Sequence, residues 1–278
     1  MAIHPHRRPA GLLSVLTALA IAGGLWASPA GSAQDACSAN YEPPSAECRP
    51  EASAAVPTGA GCDRQPINLG QLKTQLKNYF RCSYRTDLAT VLADARAYVE
   101  QRAGEVAQPA IVFDIDETSL SNWSELWQDD FGYFRGGPCE MKPQTPCGWR
   151  AWQLTAQASA IEPTLGLFNA ARSKKVAIFF ITGREEDAEL RAATTDNLLK
   201  VGYFGWSELI MRASPACRNN DTTGYKRCER KALAAKGYTI IANIGDQWSD
   251  LDPDPVDKSK GSYAERIFKV PNPFYFIP

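Results

Sequence analysis

The chain has 278 residues, of which 44% are hydrophobic and 22% are charged, with 31 acidic and 30 basic side chains. This length is enough for one sizeable domain with its own core, or for two small ones. The formal net charge of −1 argues against broad electrostatic binding to nucleic acid or to anionic membranes.

The first 33 residues have the pattern of a secretory signal peptide. Two arginines precede an apolar run from Gly11 to Ala27, and the small residues SPAGSA follow it. This order is typical of a cleaved export signal, so we expect cleavage after Ala33, with Ala30 as the alternative. A retained membrane anchor is the other interpretation, but the run contains glycines and lacks charged stop-transfer flanks. We therefore predict a secreted or periplasmic protein with no stable membrane anchor after cleavage.

Cleavage would remove every histidine, because the two in the chain are His4 and His6. Catalysis by a Ser-His-Asp triad, by a phosphohistidine or by a zinc ion with histidine ligands needs an imidazole and is therefore excluded. The chemistry of the mature chain must rest on carboxylates, hydroxyls, amines or thiols.

Eight cysteines remain after cleavage, and an even number in an exported chain indicates disulfides. None of them has the arginine six residues later that a cysteine phosphatase needs. The sequence does not determine the pairing. Short loops favour Cys139–Cys147 and Cys217–Cys228, and after them Cys37–Cys48 and Cys62–Cys82.

Residues 34–64 are rich in Pro, Ala, Ser, Gly and Cys and show no apolar period, which indicates an irregular Cys/Pro-rich extension. Apolar residues then recur at three- and four-residue steps from Asn68 to Phe80 and again after Thr86. This spacing predicts two helices.

Short continuous apolar runs, typical of strands buried on both faces, alternate with helical segments through the rest of the chain. The predicted strands are Ala110–Ile115, Val176–Ile181, Glu208–Met211 and Thr239–Ile244, and the helices between them include Glu186–Lys200 and Lys226–Lys236. Such alternation implies right-handed crossovers and a parallel sheet covered on both sides. We predict an α/β fold, a Rossmann-like three-layer sandwich with a central parallel sheet.

Three of these strands end in polar residues: Asp114–Thr118, Thr182–Arg184 and Gly245–Asp250. The carboxyl ends of parallel strands meet at one edge of the sheet, so the three clusters should converge there. Asp114 and Asp116 leave the strand end on the same side and repel each other unless a cation or a proton intervenes. A hard divalent cation that prefers oxygen ligands, Mg²⁺, is the economical solution.

The segments FDIDETSLSN and FFITGREE and the run from Gly224 to Leu251 resemble the four motifs of the haloacid dehalogenase (HAD) superfamily. They are most similar to its secreted acid phosphatases of subfamily IIIB, the group with plant vegetative-storage-type and bacterial class B–C enzymes. The closing FKVPNPFYFIP also resembles the tails of that group. The resemblance implies a HAD-like phosphatase domain over residues 65–278, with a small helical cap inserted at about 123–163.

The resemblance also implies a role for each aspartate. Asp114 matches the nucleophile that becomes an aspartyl phosphate, and Asp116 matches the general acid that later serves as the base. The Mg²⁺ ligands would be the Asp114 carboxylate, the Asp116 backbone carbonyl and Asp246, with Asp250 binding directly or through water.

Three further positions match the family's phosphate-binding residues. Thr182 and Gly183 correspond to the motif that holds a phosphate oxygen, and Lys226 to the lysine that neutralises the phosphoryl charge. Lys231 is the alternative for that lysine, although we expect Lys231 and Arg230 on a solvated helix face.

Two predictions concern the surroundings of the nucleophile. Arg184 is expected to form a structural ion pair rather than a phosphate contact. Among the aromatic residues of the cap, Trp123 and Trp127 are the two candidates near enough to the nucleophile to border the leaving group. The other aromatic residues are expected to pack the cap onto the sheet.

The activity that the resemblance implies is Mg²⁺-dependent hydrolysis of small phosphomonoesters, such as aryl phosphates and nucleoside monophosphates, at acid pH. The alternative is a non-catalytic storage or cation-binding protein on the same fold. Some storage-type members of the family lack the first aspartate, whereas this chain has Asp114. A nuclease is disfavoured because the mature chain would have no histidine and has no basic stripe.

Overall fold

The computed structural model describes residues 67–143, 145–212, 217 and 221–277. The predicted signal peptide, the extension at 34–64 and the predicted Cys37–Cys48 bridge lie outside these residues. No helix within the described ranges is long and apolar enough to cross a membrane.

Two helices open the described chain, α1 (Leu69–Tyr79) and α2 (Arg85–Arg102), and a π-helical turn at Phe80–Tyr84 joins them. Asn68 caps α1 because its Oδ1 accepts hydrogen bonds from the first-turn backbone N–H groups. The two helices predicted from the apolar spacing are therefore present, but they are continuous. The second one buries the repeating residues Leu88, Leu92, Ala95 and Val99.

Seven strands follow: β1 (Pro109–Phe113), β2 (Leu120–Ser121), β3 (Ser159–Ala160), β4 (Ala177–Glu185), β5 (Glu208–Arg212), β6 (Thr239–Gly245) and β7 (Arg266–Lys269). The helices among them are α3 (Trp123–Gln128), α4 (Trp149–Thr155), α5 (Glu162–Ser173), α6 (Ala188–Lys200), α7 (Thr222–Ala235) and α8 (Trp248–Leu251). Five strands form one parallel sheet in the order β5-β4-β1-β6-β7, and β2 pairs with β3 in a small antiparallel ribbon.

The sheet is buried on both faces because side chains of its central strands alternate between two apolar clusters. Ile111 and Phe113 of β1 belong to the larger cluster, with residues of α2, α5 and α6. Ala110 and Val112 belong to the smaller cluster, with Tyr225 and Leu233 of α7. The predicted three-layer α/β fold with a central parallel sheet is confirmed.

Strand β7 was not predicted from the sequence. It lies at the edge of the sheet, and of its residues Phe268 alone is buried. An edge strand with charged residues at both ends lacks the continuous apolar run by which the inner strands are found.

The two disulfides that short loops favoured, Cys139–Cys147 and Cys217–Cys228, are present. Cys82 is also disulfide-bonded, and Cys62, its predicted partner, lies outside the described residues. The first bridge lies in the segment between α3 and α4, which belongs to the insertion between β1 and α5. The second bridge joins α7 to the segment that precedes it.

Candidate active site

A buried ion pair lies at the carboxyl end of β1. Asp114 directly follows the strand and is 6% exposed. Its Oδ1 pairs with the Nζ atom of Lys226, a residue of α7 that is 3% exposed. The same ammonium lies 2.6 Å from Oδ1 of Asp250. Lys231, on the same helix, is exposed. Lys226 therefore occupies the position next to the proposed nucleophile.

Three buried carboxylates meet at this point. Asp114, Asp246 and Asp250 can each place one oxygen within 4.8 Å of the others. Burial raises the pKa of Asp114 well above its usual range, and the neighbouring carboxylates add to this shift while Lys226 opposes it. Burial and Asp250 likewise raise the pKa of Asp246 to about 7. Oxygen donors that repel one another when ionised fit a hard divalent cation.

The side chain of Asp246, which follows β6, is fixed by three donors. Thr118 Oγ1 donates to its Oδ1 over 3.0 Å, and the carboxamides of Gln247 and Asn272 donate to its Oδ2 over 2.8 Å each. Lys269 Nζ donates to its backbone carbonyl over 2.7 Å. One carboxylate thus ties together the β1 loop, β6 and the C-terminal tail.

Asp250 lies on α8 and is held through both its side chain and its backbone. Its Oδ2 accepts from the backbone N–H of Gln247 over 2.8 Å. Its backbone carbonyl accepts from Arg230 Nη1 over 2.6 Å and from Asn243 Nδ2 over 2.9 Å. The prediction that Arg230 lies on a solvated face is wrong, since its side chain is fully buried. Arg230 instead supports the loop that carries an aspartate of the cluster.

Asp116 stands apart from the carboxylate cluster. Arg184 pairs with both of its oxygens, over 2.6 and 3.0 Å, and Asn122 Nδ2 donates to its Oδ1 over 3.0 Å. Burial would raise the pKa of Asp116, but the charge and hydrogen bonds of Arg184 outweigh it and hold the pKa below its usual value. The structure therefore contains the ion pair that we predicted for Arg184.

The second motif, at the end of β4, places its residues at different depths. Thr182 is fully buried, and its Oγ1 accepts from the backbone N–H of Arg184 over 3.2 Å. Gly183 is exposed and open, with no atom within 4 Å of the position of a Cβ. Gly183 lines the cavity described below, so its backbone is accessible to a ligand.

A cavity of about 750 Å³ opens over the strand ends. Its lining includes the charged residues Asp114, Asp116, Lys226, Asp246 and Asp250. Aromatic side chains of the cap and the C-terminal tail form a further part of the wall, among them Phe131, Tyr133, Trp149 and Tyr275.

Trp123 and Trp127, expected to border the leaving group, do not line this cavity in the described part of the chain. Trp123 stacks on Phe80, with ring centroids 3.6 Å apart, and so packs the cap against the first helices. Trp127 is 46% exposed and lies 4.4 Å from the Lys77 ammonium. The prediction was wrong because proximity in sequence to Asp114 does not place a side chain on the cavity side of α3.

The supporting roles of Arg230 and Asn272 were not predicted from the sequence, although the spacing of Arg230 from Lys226 indicates its position. Arg230 follows Lys226 by four residues on α7, so both lie on one face of that helix. A lysine directed at a buried site therefore predicts that the arginine one turn later is also buried. Nothing comparable indicated that Asn272 of the tail reaches Asp246.

Comparisons with known proteins identify the family of this chain. Residues 61–278 match the sequence family described as HAD superfamily, subfamily IIIB (acid phosphatase). The chain is 30% identical to "Acid phosphatase 1" of Solanum lycopersicum, over 70% of this chain and 69% of the relative. It is also 30% identical to "Vegetative storage protein 1" of Arabidopsis thaliana, over 78% of this chain and 73% of the relative.

A solved structure supports the fold. The class C acid phosphatase from Bacillus anthracis superposes with a TM-score of 0.57 at 20% identity, covering 75% of this chain and 86% of that one. With the family match over residues 61–278 and the curated relatives, the chain belongs to the acid phosphatases of HAD subfamily IIIB.

Proposed function

We propose that this protein is an exported, Mg²⁺-dependent acid phosphatase that hydrolyses phosphomonoesters through a phosphorylated Asp114. The observation that carries the proposal is the buried Asp114, which is paired with Lys226 and opens into the same cavity as Asp116. A carboxylate nucleophile, a fixed cation and a second carboxylate at one strand end are the parts that phosphoryl transfer needs.

In the first step, a carboxylate oxygen of Asp114 attacks the phosphorus of the bound ester. The bond between phosphorus and the ester oxygen breaks, and Asp116 donates its proton to that oxygen, so the alcohol leaves neutral. Because Arg184 holds the pKa of Asp116 below its usual value, only a small fraction of the protein carries this proton at neutral pH, so we expect the rate to rise as the pH falls.

In the second step, Asp116 acts as the base. It takes a proton from a water molecule whose oxygen attacks the phosphorus of the aspartyl phosphate, and the Asp114 carboxylate and inorganic phosphate are released. Lys226 stays next to Asp114 throughout and balances the negative charge of the phosphoryl group. The open backbone at Gly183 is proposed to hold a phosphate oxygen. Thr182 was expected to share this contact, but its hydroxyl is fully buried and does not line the cavity, so we propose that it orients the loop through the backbone N–H of Arg184.

The carboxylates of Asp114, Asp246 and Asp250 and the backbone carbonyl of Asp116 would hold Mg²⁺. When bound, the ion would offset the negative charge of the carboxylates and of the phosphate, which allows a dianionic ester to approach Asp114. Thr118 and Asn272 orient Asp246 for this purpose through hydrogen bonds to its two oxygens.

The proposed substrates are small phosphomonoesters. The aromatic wall of the cavity, with Tyr133 and Trp149, supports an aryl or nucleoside leaving group, since flat rings pack against such side chains.

The domain boundaries remain predictions, with a signal peptide at 1–33, an extension at 34–64 and the phosphatase domain at 65–278. The disulfides of the described unit support export, because such bonds persist in oxidising compartments.

The second candidate is a storage or cation-binding protein on this fold. It is favoured by the relatives whose names are those of vegetative storage proteins. Asp114 and its pairing with Lys226 argue for catalysis, because storage alone does not require a buried carboxylate next to a buried ammonium.

Phosphate release from p-nitrophenyl phosphate tests the two candidates against each other. We expect hydrolysis that requires Mg²⁺, that EDTA abolishes, and that the Asp114→Asn variant reduces by at least about three orders of magnitude. Beryllium fluoride should add to Asp114 and not to Asp116. A folded protein that binds Mg²⁺ but releases no phosphate would favour the storage candidate.

A further inference from the structure

The wall of the cavity contains a buried carboxyl group that the proposed mechanism does not use. Glu125 lies on α3 and is 1% exposed, yet it lines the cavity. No side-chain hydrogen bond or ion pair within the described ranges involves its carboxyl group. Asp129, which caps the C-terminus of α3, is not its partner, because its Oδ1 accepts from the backbone N–H of Cys147 and its Oδ2 has no hydrogen-bond partner among the described residues.

A second buried polar group faces the same cavity from the next helix. Gln153 lies on α4 and is 5% exposed, and its Nε2 has no hydrogen-bond partner within the described ranges. Its neighbour Trp152 differs, because the indole N–H donates to Asn122 over 2.8 Å. The lack of a partner at Gln153 is therefore not a general property of this helix.

A buried polar atom without a partner costs about 1–3 kcal/mol, so the buried Nε2 of Gln153 at this cavity needs a reason. A ligand that supplies the missing partner would remove this cost. The carboxyl group of Glu125 lines the same cavity and would gain from the same ligand. A site of this kind discriminates strongly, because a ligand without the matching polar group leaves the buried groups unpaired.

We propose that Glu125 and Gln153 form a polar leaving-group subsite that binds hydroxyl groups and selects phosphomonoesters of polyhydroxylated alcohols over those of apolar alcohols. The inference rests on the proposed phosphatase function and deepens it, since it names the chemistry of the alcohol. Neither residue touches the phosphoryl group in this assignment. Both act on the part of the substrate that leaves.

Hydroxyl groups fit this subsite better than ammonium groups do. Burial, with the nearby carboxylates of Asp129 and Glu117, raises the pKa of Glu125 to about 8. At acid pH its carboxyl group is therefore neutral, and it can both donate and accept a hydrogen bond, as a hydroxyl group does. The carboxamide of Gln153 adds two donors. Tyr133 and Trp149 in the same cavity provide aromatic surfaces for the C–H face of a ring.

Two esters with the same ring size test the subsite, namely myo-inositol 1-phosphate and cyclohexyl phosphate. We expect the wild-type protein with Mg²⁺ at acid pH to show a kcat/KM at least about 100-fold higher for the hydroxylated ester. A ratio close to one would overturn the subsite, and hydrolysis of both esters would leave the proposed phosphatase function intact.

Variants then assign the preference to residues. Glu125→Leu and Gln153→Leu should each lower the ratio of the two kcat/KM values by about tenfold or more. Glu140→Leu is the matched control, because Glu140 is an exposed carboxylate of the cap that pairs with Lys142 and does not line the cavity. Its ratio should equal that of the wild type. If the ratio of the two kcat/KM values is the same in all three variants, the assignment to Glu125 and Gln153 is contradicted. If a variant does not fold, the ratio measured for the wild type decides whether the subsite exists.

Two further measurements separate the possible failures. If the wild type hydrolyses neither ester nor p-nitrophenyl phosphate, the phosphatase function fails, and the subsite is tested by calorimetric binding of both esters to the Asp114→Asn protein. Equal dissociation constants would then overturn it. A preference for 2-aminoethyl phosphate over 2-hydroxyethyl phosphate in the wild type would also overturn it, because the subsite would then recognise a cation.

Discussion

Arg184 donates two parallel hydrogen bonds to the carboxylate of Asp116, from Nη2 to Oδ1 over 2.6 Å and from Nε to Oδ2 over 3.0 Å. The third nitrogen of the guanidinium, Nη1, donates to Thr194 Oγ1 over 3.0 Å, so α6 fixes the arginine. The planar fork defines both the position and the rotation of the carboxylate, which a single ammonium cannot do. Arg184 is therefore a positioning residue for the proposed acid and base.

The Arg184→Lys variant should lower kcat for p-nitrophenyl phosphate by about 10- to 100-fold, with a smaller effect on KM. Lysine keeps the charge but loses the two-point contact, so Asp116 no longer faces the leaving oxygen reliably. Steady-state kinetics with saturating Mg²⁺ measure the effect. Arg96→Lys, in an exposed pair with Glu100, is the control and should behave as the wild type. If kcat of Arg184→Lys is unchanged, geometry at Asp116 is not limiting.

Arg230 is predicted to be a stability determinant of the site loop, in contrast to its neighbour Lys231. Its guanidinium donates to the backbone carbonyls of Asp250 and Ser262 over 2.6 and 3.1 Å, and the side chain is fully buried. Arg230→Met should lower the free energy of unfolding by about 2–4 kcal/mol, because buried carbonyls lose a charged donor. Lys231→Met, on the exposed face, should change it by less than about 0.5 kcal/mol. Urea denaturation of both variants measures the difference, and equal midpoints would contradict the assignment.

The positions of Asp114, Thr182 and Asp246 could be predicted from the sequence because each follows a continuous apolar run. Such runs form the inner strands of a parallel sheet, and topology then requires their carboxyl ends to meet. The prediction depended only on local pattern and on this rule. It needed no knowledge of which side chains touch.

The cavity wall could not be predicted in the same way. Trp123 and Glu125 are two residues apart on α3, yet the tryptophan stacks on Phe80 while the carboxyl group faces the cavity. A helix of only six residues makes fewer than two turns, which is too few for the spacing of its apolar residues to show which face is buried. The outcome depends on how the cap packs on α1, which is a tertiary contact that no spacing reveals.

Glu265 should contribute stability that depends on pH. Arg102 donates to both of its oxygens over 2.8 and 2.9 Å, which joins α2 to the segment before β7. These hydrogen bonds lower the pKa of Glu265 below its ordinary value of 4.5. The stabilisation is therefore complete above that value and is lost as the pH falls through the lower pKa of the folded state.

The Glu265→Gln variant should be about 0.5–1 kcal/mol less stable at neutral pH, since both partners are partly exposed and screened by solvent. The difference from the wild type should shrink as the pH is lowered below about 4.5. Urea denaturation at a series of pH values measures it. Glu100→Gln, in a more exposed pair on α2, should show a smaller difference. A deficit that is constant down to the lowest pH would show that the pair does not cause it.

Gly245, the last residue of β6, leaves room for the side chain of Asp250. A Cβ atom at this position would lie 2.8 Å from Asp250 Oδ2 and 3.0 Å from its Cγ, so Gly245→Ala must displace that carboxylate. We expect the Mg²⁺ concentration for half-maximal activity to rise at least about tenfold, with partial recovery at high Mg²⁺. Gly166→Ala on α5 is the control, because no atom lies within 4 Å of its Cβ position and alanine favours a helix. An unchanged Mg²⁺ requirement in Gly245→Ala, with the protein folded, would mean that Asp250 does not help to hold the ion. Asp114 and Asp246 would then have to bind it without this third carboxylate.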